Sequence, residues 1–114
     1  MTNTLDGVWE LISDTQTGLM MHQGPHHMFM IFDKDQKPMV DPSNPTDSEL
    51  LAAHRSGHVG AGTFTLDGTA ASYTSRLGFT KNNIGQTYYG EFIVDGDHLT
   101  EKVGGNTLEW RRIG

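Results

Sequence analysis

Eight polar side chains set the question this 114-residue chain poses: Ser13, His26, His58, Tyr73, Ser75, Gln86, Tyr88 and Glu101. Strand alternation assigns each of them to the face that also carries the large apolar residues. A carboxyl held among apolar walls keeps its proton to a higher pH, so Glu101 is a candidate general acid or base. The competing expectation is a solvated carboxylate at a rim. Tyr73 and Tyr88 offer hydroxyls that polarise a carbonyl or stabilise an oxyanion, against the plainer role of packing with one satisfied hydroxyl. Tyr73 is the better candidate, because parity sets it mid-strand beside Gly60 and Gly62, which leave room. His26 and His58 are proton-transfer candidates, since an imidazole titrates near neutrality.

Histidine spacing also raises a metal. His22-x-x-x-His26-His27 and His54-x-x-x-His58 place imidazoles four residues apart. Ligand sets of this kind normally include carboxylates or cysteines at fixed offsets, which these lack, and His54 and His58 fall on either side of Gly57. The expectation is therefore no metal. There is also no phosphate-cradling glycine loop, nucleophile elbow or dinucleotide fingerprint, so no organic cofactor is expected.

The elements that must position these groups follow from an internal repeat. Gly62-Thr63-Phe64-Thr65-Leu66-Asp67-Gly68 and Gly90-Glu91-Phe92-Ile93-Val94-Asp95-Gly96 are copies set 28 residues apart. Period-2 apolar residues ending at Asp-Gly predict hairpins with type I′ turns. Strands are predicted at Gly7–Asp14, His26–Phe32, Pro38–Val40, His58–Leu66, Thr69–Leu77, Gln86–Val94, Asp97–Val103 and Thr107–Arg112. Thr15 to Pro25 reads as a loop. Asn44 to Gly57 reads as the one helix, with Thr46-x-x-Glu49 as its capping box and Gly57 as its stop. Eight antiparallel strands in so short a chain predict a single domain, residues 1–114, closed into an all-β up-and-down barrel. Its interior admits side chains or one small ligand.

Parity places Phe64, Leu66, Ala71, Tyr73, Ser75, Leu77, Phe92, Val94, Leu99, Glu101 and Val103 inward, with Arg76 outward. Alternating direction places Trp9 and Arg112 together at a closed floor. Ser13, His26, the helix, His58, Ser75, Gln86, Tyr88 and Val103 are placed at an open mouth. Phe64, Leu99, Phe92, Met28, Met30, Tyr88, Ser75 and Gln86 are the expected ligand contacts. Methionine suits an irregular ligand; Met28 is the stronger contact candidate and Met30 the more core-like.

Composition removes other classes. A formal charge of −6, with no basic cluster beyond Arg111-Arg112, excludes nucleic acid and anionic membrane as expected partners. There is no cysteine, hence no thiol chemistry or disulfide. The first residues show neither a basic region nor an apolar stretch, and a cytoplasmic location is the expectation. Outward Val8, Ile12 and Ile93 suggest a homodimer.

The residues also resemble a known family. Gly7-Val8-Trp9 resembles the Gly-x-Trp signature of lipocalins, whose tryptophan plugs the closed end of the barrel. Leu108-Glu109-Trp110-Arg111-Arg112 is similar to the Leu-x-Trp-x-Arg close of bacterial lipocalin-like (calycin-type) domains, in which the arginine stacks on that tryptophan. The helix from Glu49 running into the strand that ends at Gly68 resembles the same family's middle segment. Two departures stand out: the chain is shorter than usual, and Gly60-Ala61 stand where an aromatic residue is common. The resemblance implies an eight-stranded barrel that binds small apolar molecules, a minority of relatives being isomerases, cyclases or lyases.

Two functional expectations follow, with a solid-cored interaction domain as the third. The first is an enzyme of the isomerase, lyase or cyclase type, acting without a cofactor on a small apolar or aromatic substrate. Tyr73 would polarise or protonate oxygen while Glu101, His58 or His26 moves the proton. The second is a carrier in which the same groups only orient a hydrophobic ligand.

Overall fold

The computed structural model describes residues 5–79 and 81–114. Eight strands form a closed antiparallel barrel in chain order: β1 (Gly7–Ile12), β2 (Gln16–Gln23), β3 (His26–Asp33), β4 (Gly57–Asp67), β5 (Ala70–Gly78), β6 (Thr87–Asp95), β7 (His98–Val103) and β8 (Asn106–Arg112). One helix, α1 (Asp47–Arg55), lies between β3 and β4. The ring closes where β8 pairs with β1, placing Trp9 opposite Arg112 and Leu11 opposite Trp110. Among the described residues no helix is long and apolar enough to cross a membrane.

Strand number agrees with the expectation, but strand identity does not. The stretch predicted as a loop is β2, in which Gly18, Met20 and His22 are buried and their neighbours exposed. A glycine and a histidine facing inward, with Leu19 and Met21 facing out, conceal the period-2 signal. Pro38–Val40 forms no strand; the Val40 N–H donates to Glu49 Oε2 on the helix instead. Inserting β2 reverses the direction of β3, which runs away from the closed end rather than toward it.

The turns show why the meander holds its register. Gly24-Pro25, Gly68-Thr69 and Gly96-Asp97 each have positive φ at the first central residue only, at 56°, 62° and 61°. That is the φ pattern of a type II′ hairpin, which wants glycine first. The loop therefore begins at the glycine of each Asp-Gly pair, not at the aspartate. Gly104-Gly105, positive at both positions, makes the one hairpin with the type I′ pattern among these four.

Helix α1 starts as its sequence demands. Thr46 Oγ1 accepts from the Glu49 N–H at 3.2 Å, and Glu49 Oε1 accepts from the Thr46 N–H at 2.9 Å. It ends at Ser56, whose N–H reaches the carbonyls of Ala52 and Ala53. Gly57, expected as its stop, is instead the first residue of β4, where a Cβ would lie 2.2 Å from the Phe32 ring. No residue of the helix is buried.

The core occupies the closed half. Leu5, Trp9, Met20, Leu99 and Trp110 are essentially inaccessible, with Phe64, Phe92, Ala71 and Leu11 packed on them. Trp9 donates to the Leu5 carbonyl at 2.9 Å, and the Arg112 guanidinium sits 4.3 Å from its ring centroid. Arg112 also binds Asp97 Oδ1 at 3.1 Å and the Asp6 carbonyl. Cation, indole and backbone thus lock the bottom of the barrel together.

Toward the other end β5 carries a bulge. Gly62 pairs with Ser75 but Ala61 with Leu77, leaving Arg76 extra. An inserted residue flips the alternation beyond it. Leu77, expected inward, is accordingly 69% exposed.

Candidate functional site

Above this core the barrel encloses a cavity of about 400 Å³. Met20, Phe64, Phe92 and Trp110 contribute from the core side. Phe29, Ile31, Tyr73, Tyr88 and Val103 line the walls, and His54, His58 and Phe79 belong to the helix end. Trp9 does not line it: the plug expected beneath the pocket lies in the core, and its core neighbours Met20 and Trp110 contribute to the lining instead. Leu99, expected to touch a ligand, is likewise in the core and off the lining.

Glu101 is the one carboxyl on the lining. It is placed on β7, opposite Phe92 of β6 and Leu108 of β8. Its Oε1 accepts from the Trp110 indole N–H at 3.0 Å. Burial raises its proton affinity above the usual carboxylate range, and the indole bond only partly counters that. Among the described residues no lysine or arginine lines the cavity to hold the carboxyl ionised.

Tyr73 sits where two glycines make space for it. A Cβ at Gly60 would be 2.8 Å from the Tyr73 hydroxyl, and one at Gly62 would be 1.9 Å from the Thr74 carbonyl oxygen and 3.0 Å from the Tyr73 ring. The ring stacks on Tyr88 with centroids 6.2 Å apart and meets Phe29 edge-on. Its hydroxyl is buried without a hydrogen-bond partner. Burial raises the phenol's proton affinity, the neighbouring Ser75 hydroxyl opposes this, and Tyr88 adds to it.

β2 and β3 supply two residues that sequence reasoning did not place here. His22 and His27 are buried, and His27 Nδ1 lies 2.8 Å from His22 Nε2. His27 lines the cavity, packed against Phe29, Phe64 and Tyr73. Burial lowers the His27 pKa to about 3, assisted by His22, and lowers that of His22 to about 4 against the pull of Asp6. Both rings are neutral at physiological pH. The signal that would have found them is alternation through β2, which puts His22 inward beside Met20.

Other expected site residues fall elsewhere. Reversing β3 exchanges its ends, and its register with β2 sets its faces: His27, opposite the buried His22, points in with Phe29 and Ile31, while His26, Met28 and Met30 are exposed. His26 also belongs to the closed end, pairing with Gln23 beside the Gly24-Pro25 turn. Gln86 precedes β6, is exposed, and donates to the Asn82 carbonyl. Ser13 lies past β1, accepting from the N–H groups of Thr15 and Gln16. His58, although exposed, lines the cavity at its rim as expected. Tyr73, Ser75, Tyr88, Glu101, Phe64 and Phe92 are brought together on the lining.

The described residues contain no cluster of three or more histidine, aspartate, glutamate or cysteine side chains arranged to hold a metal ion. Compared with known proteins, the chain matches no family profile, no curated sequence and no solved structure.

Proposed function

We propose that this barrel is a lipocalin-like binding protein for one small, largely apolar or aromatic molecule. The observation that carries the reading is the cavity of about 400 Å³, walled by aromatic and aliphatic side chains and interrupted by few polar groups. That mixture is what a small-molecule site needs: area for affinity, and sparse hydrogen-bonding groups for orientation. Without a cation on the lining, a neutral ligand fits better than an anion. The Glu101 carboxyl, whose proton affinity burial raises, then offers a polar anchor to a ligand oxygen or nitrogen while Oε1 keeps the Trp110 bond. Native mass spectrometry of freshly purified protein, followed by titration with naphthalene, tests this. Saturable one-to-one binding weakened by Val103→Trp, which fills the lumen, is expected; a parent protein that binds nothing refutes it.

A second reading is favoured by the place of Glu101 on this largely apolar lining, where burial raises its proton affinity. That is the environment of a general acid, and it fits cofactor-independent isomerase, lyase or cyclase chemistry. Tyr73 contributes less directly, because its hydroxyl is covered where it abuts Gly60. Ligand binding retained by Glu101→Gln with turnover abolished supports the enzyme. Turnover surviving that change eliminates it.

A further inference from the structure

The histidine pair extends the binding reading and rests on it. The geometry points to His27 as the second polar anchor of the cavity, held by His22, so that the preferred ligand is a neutral aromatic bearing a hydroxyl group. Both rings are buried, and one nitrogen of each is committed to the 2.8 Å contact between them. On His22 the remaining nitrogen, Nδ1, is buried without a partner. On His27 the remaining nitrogen, Nε2, carries no protein hydrogen bond, and this ring lines the lumen. His27 Nε2 is not among the buried unpaired atoms, so it is open to the lumen, where a ligand can hydrogen-bond to it.

Position in the barrel makes this a separate contact from Glu101. His27 stands on β3 and Glu101 on β7, four strands apart in a ring of eight, hence on opposite sides of the lumen. A flat aromatic molecule spanning the cavity meets both.

The two-way chemistry of a hydroxyl selects it over other groups. Two neutral arrangements exist. Either His27 Nδ1–H donates to His22, leaving His27 Nε2 a bare acceptor, or His22 Nε2–H donates to His27, leaving Nε2–H a donor. In the first a phenolic O–H donates to His27 Nε2; in the second the phenolic oxygen accepts from His27 Nε2–H. A ligand hydroxyl therefore pairs with either arrangement, whereas a carbonyl accepts only in the second.

Matched probes test this: naphthalene, 2-naphthol and 2-acetylnaphthalene, titrated against the parent, His27→Phe, His22→Leu and His22→Gln. The parent should bind 2-naphthol about tenfold more tightly than naphthalene, the discrimination one net hydrogen bond supplies. His27→Phe should retain naphthalene and lose that preference. His22→Leu should weaken the preference and His22→Gln restore it, because the amide again pairs with His27 Nδ1, its oxygen accepting or its N–H donating. In ¹⁵N-histidine spectra of the parent, 2-naphthol should shift His27 Nε2 while naphthalene leaves it in place; this readout needs no variant to fold. Equal affinity for the three probes, a preference that survives His27→Phe, or an unmoved His27 Nε2 overturns the assignment. Naphthalene that binds without a hydroxyl preference overturns it alone. Naphthalene that fails to bind at all removes the cavity reading with it.

Discussion

Acid should unfold this barrel through two residues, and the size of the effect follows from their burial. An unfolded histidine titrates near 6.5, whereas His22 and His27 in the fold titrate at about 4 and about 3. Between those values the unfolded chain binds protons that the native chain refuses, so stability falls as pH falls below 6.5. At pH 5 the unfolded state gains about 2 kcal/mol from each imidazole, about 4 kcal/mol for the pair. A domain of this size has roughly 5–15 kcal/mol to lose. Glu101 acts in the opposite sense. Its raised pKa means that the native state takes up a proton first, so its contribution improves as pH falls. Urea unfolding at pH 8 and pH 5, followed by fluorescence of the buried Trp9 and Trp110, measures the sum. In a Glu101→Gln background the offset is gone, and the full loss of about 4 kcal/mol should appear. Adding His22→Leu with His27→Phe should flatten the profile between those pH values. A Glu101→Gln protein equally stable at pH 8 and pH 5, within about 1 kcal/mol, would show that the pair is not buried in its neutral form.

Further outcomes test other parts of the structure. Tyr73→Phe removes a buried hydroxyl without a partner and should leave stability unchanged or raise it by about 1 kcal/mol in urea melts. Gly62→Ala forces a Cβ to within 1.9 Å of the Thr74 carbonyl oxygen and should cost about 2–3 kcal/mol in the same assay. Arg112→Ala strips the cation from Trp9 along with the Asp6 and Asp97 contacts; a loss of about 2 kcal/mol is expected, with altered tryptophan emission. Glu101→Gln should stabilise the protein at pH 8 and lose that advantage near pH 4, since the amide keeps an acceptor for Trp110 without the burial cost of a charge.

The barrel was legible where one face is uniformly apolar. Phe64, Leu66, Phe92, Val94 and Leu99 announce their strands, and Thr46 with Glu49 announces the helix. Legibility failed where inward positions are filled by glycine or histidine. Gly18 and His22 leave Met20 as the one buried apolar side chain of β2, and without that strand β3 has no register to fix its faces. His26, Met28 and Met30 are named in place of His27, Phe29 and Ile31 for this reason. The bulge at Arg76 was equally hidden, because an extra residue leaves no compositional mark, and Leu77 was assigned inward in consequence. Glu101 and Tyr73 were found because alternation is unbroken between each of them and the turn that precedes its strand. Their partners were not: the histidines lie far from Tyr73 in sequence, and Trp110 meets Glu101 only through the register of β7 with β8.

The exposed helix has a consequence for traffic. α1 buries none of its residues and touches the rest mainly through β4 and the meeting of His54 with Phe79. Lifting it therefore exposes little apolar surface, while the tightly packed core lies at the far end. On the binding reading proposed above, exchange of a guest molecule would thereby be uncoupled from global unfolding. Residence time would answer to substitutions at Phe79 and His54, and thermal resistance to those around Trp9, so that each property is tunable without disturbing the other.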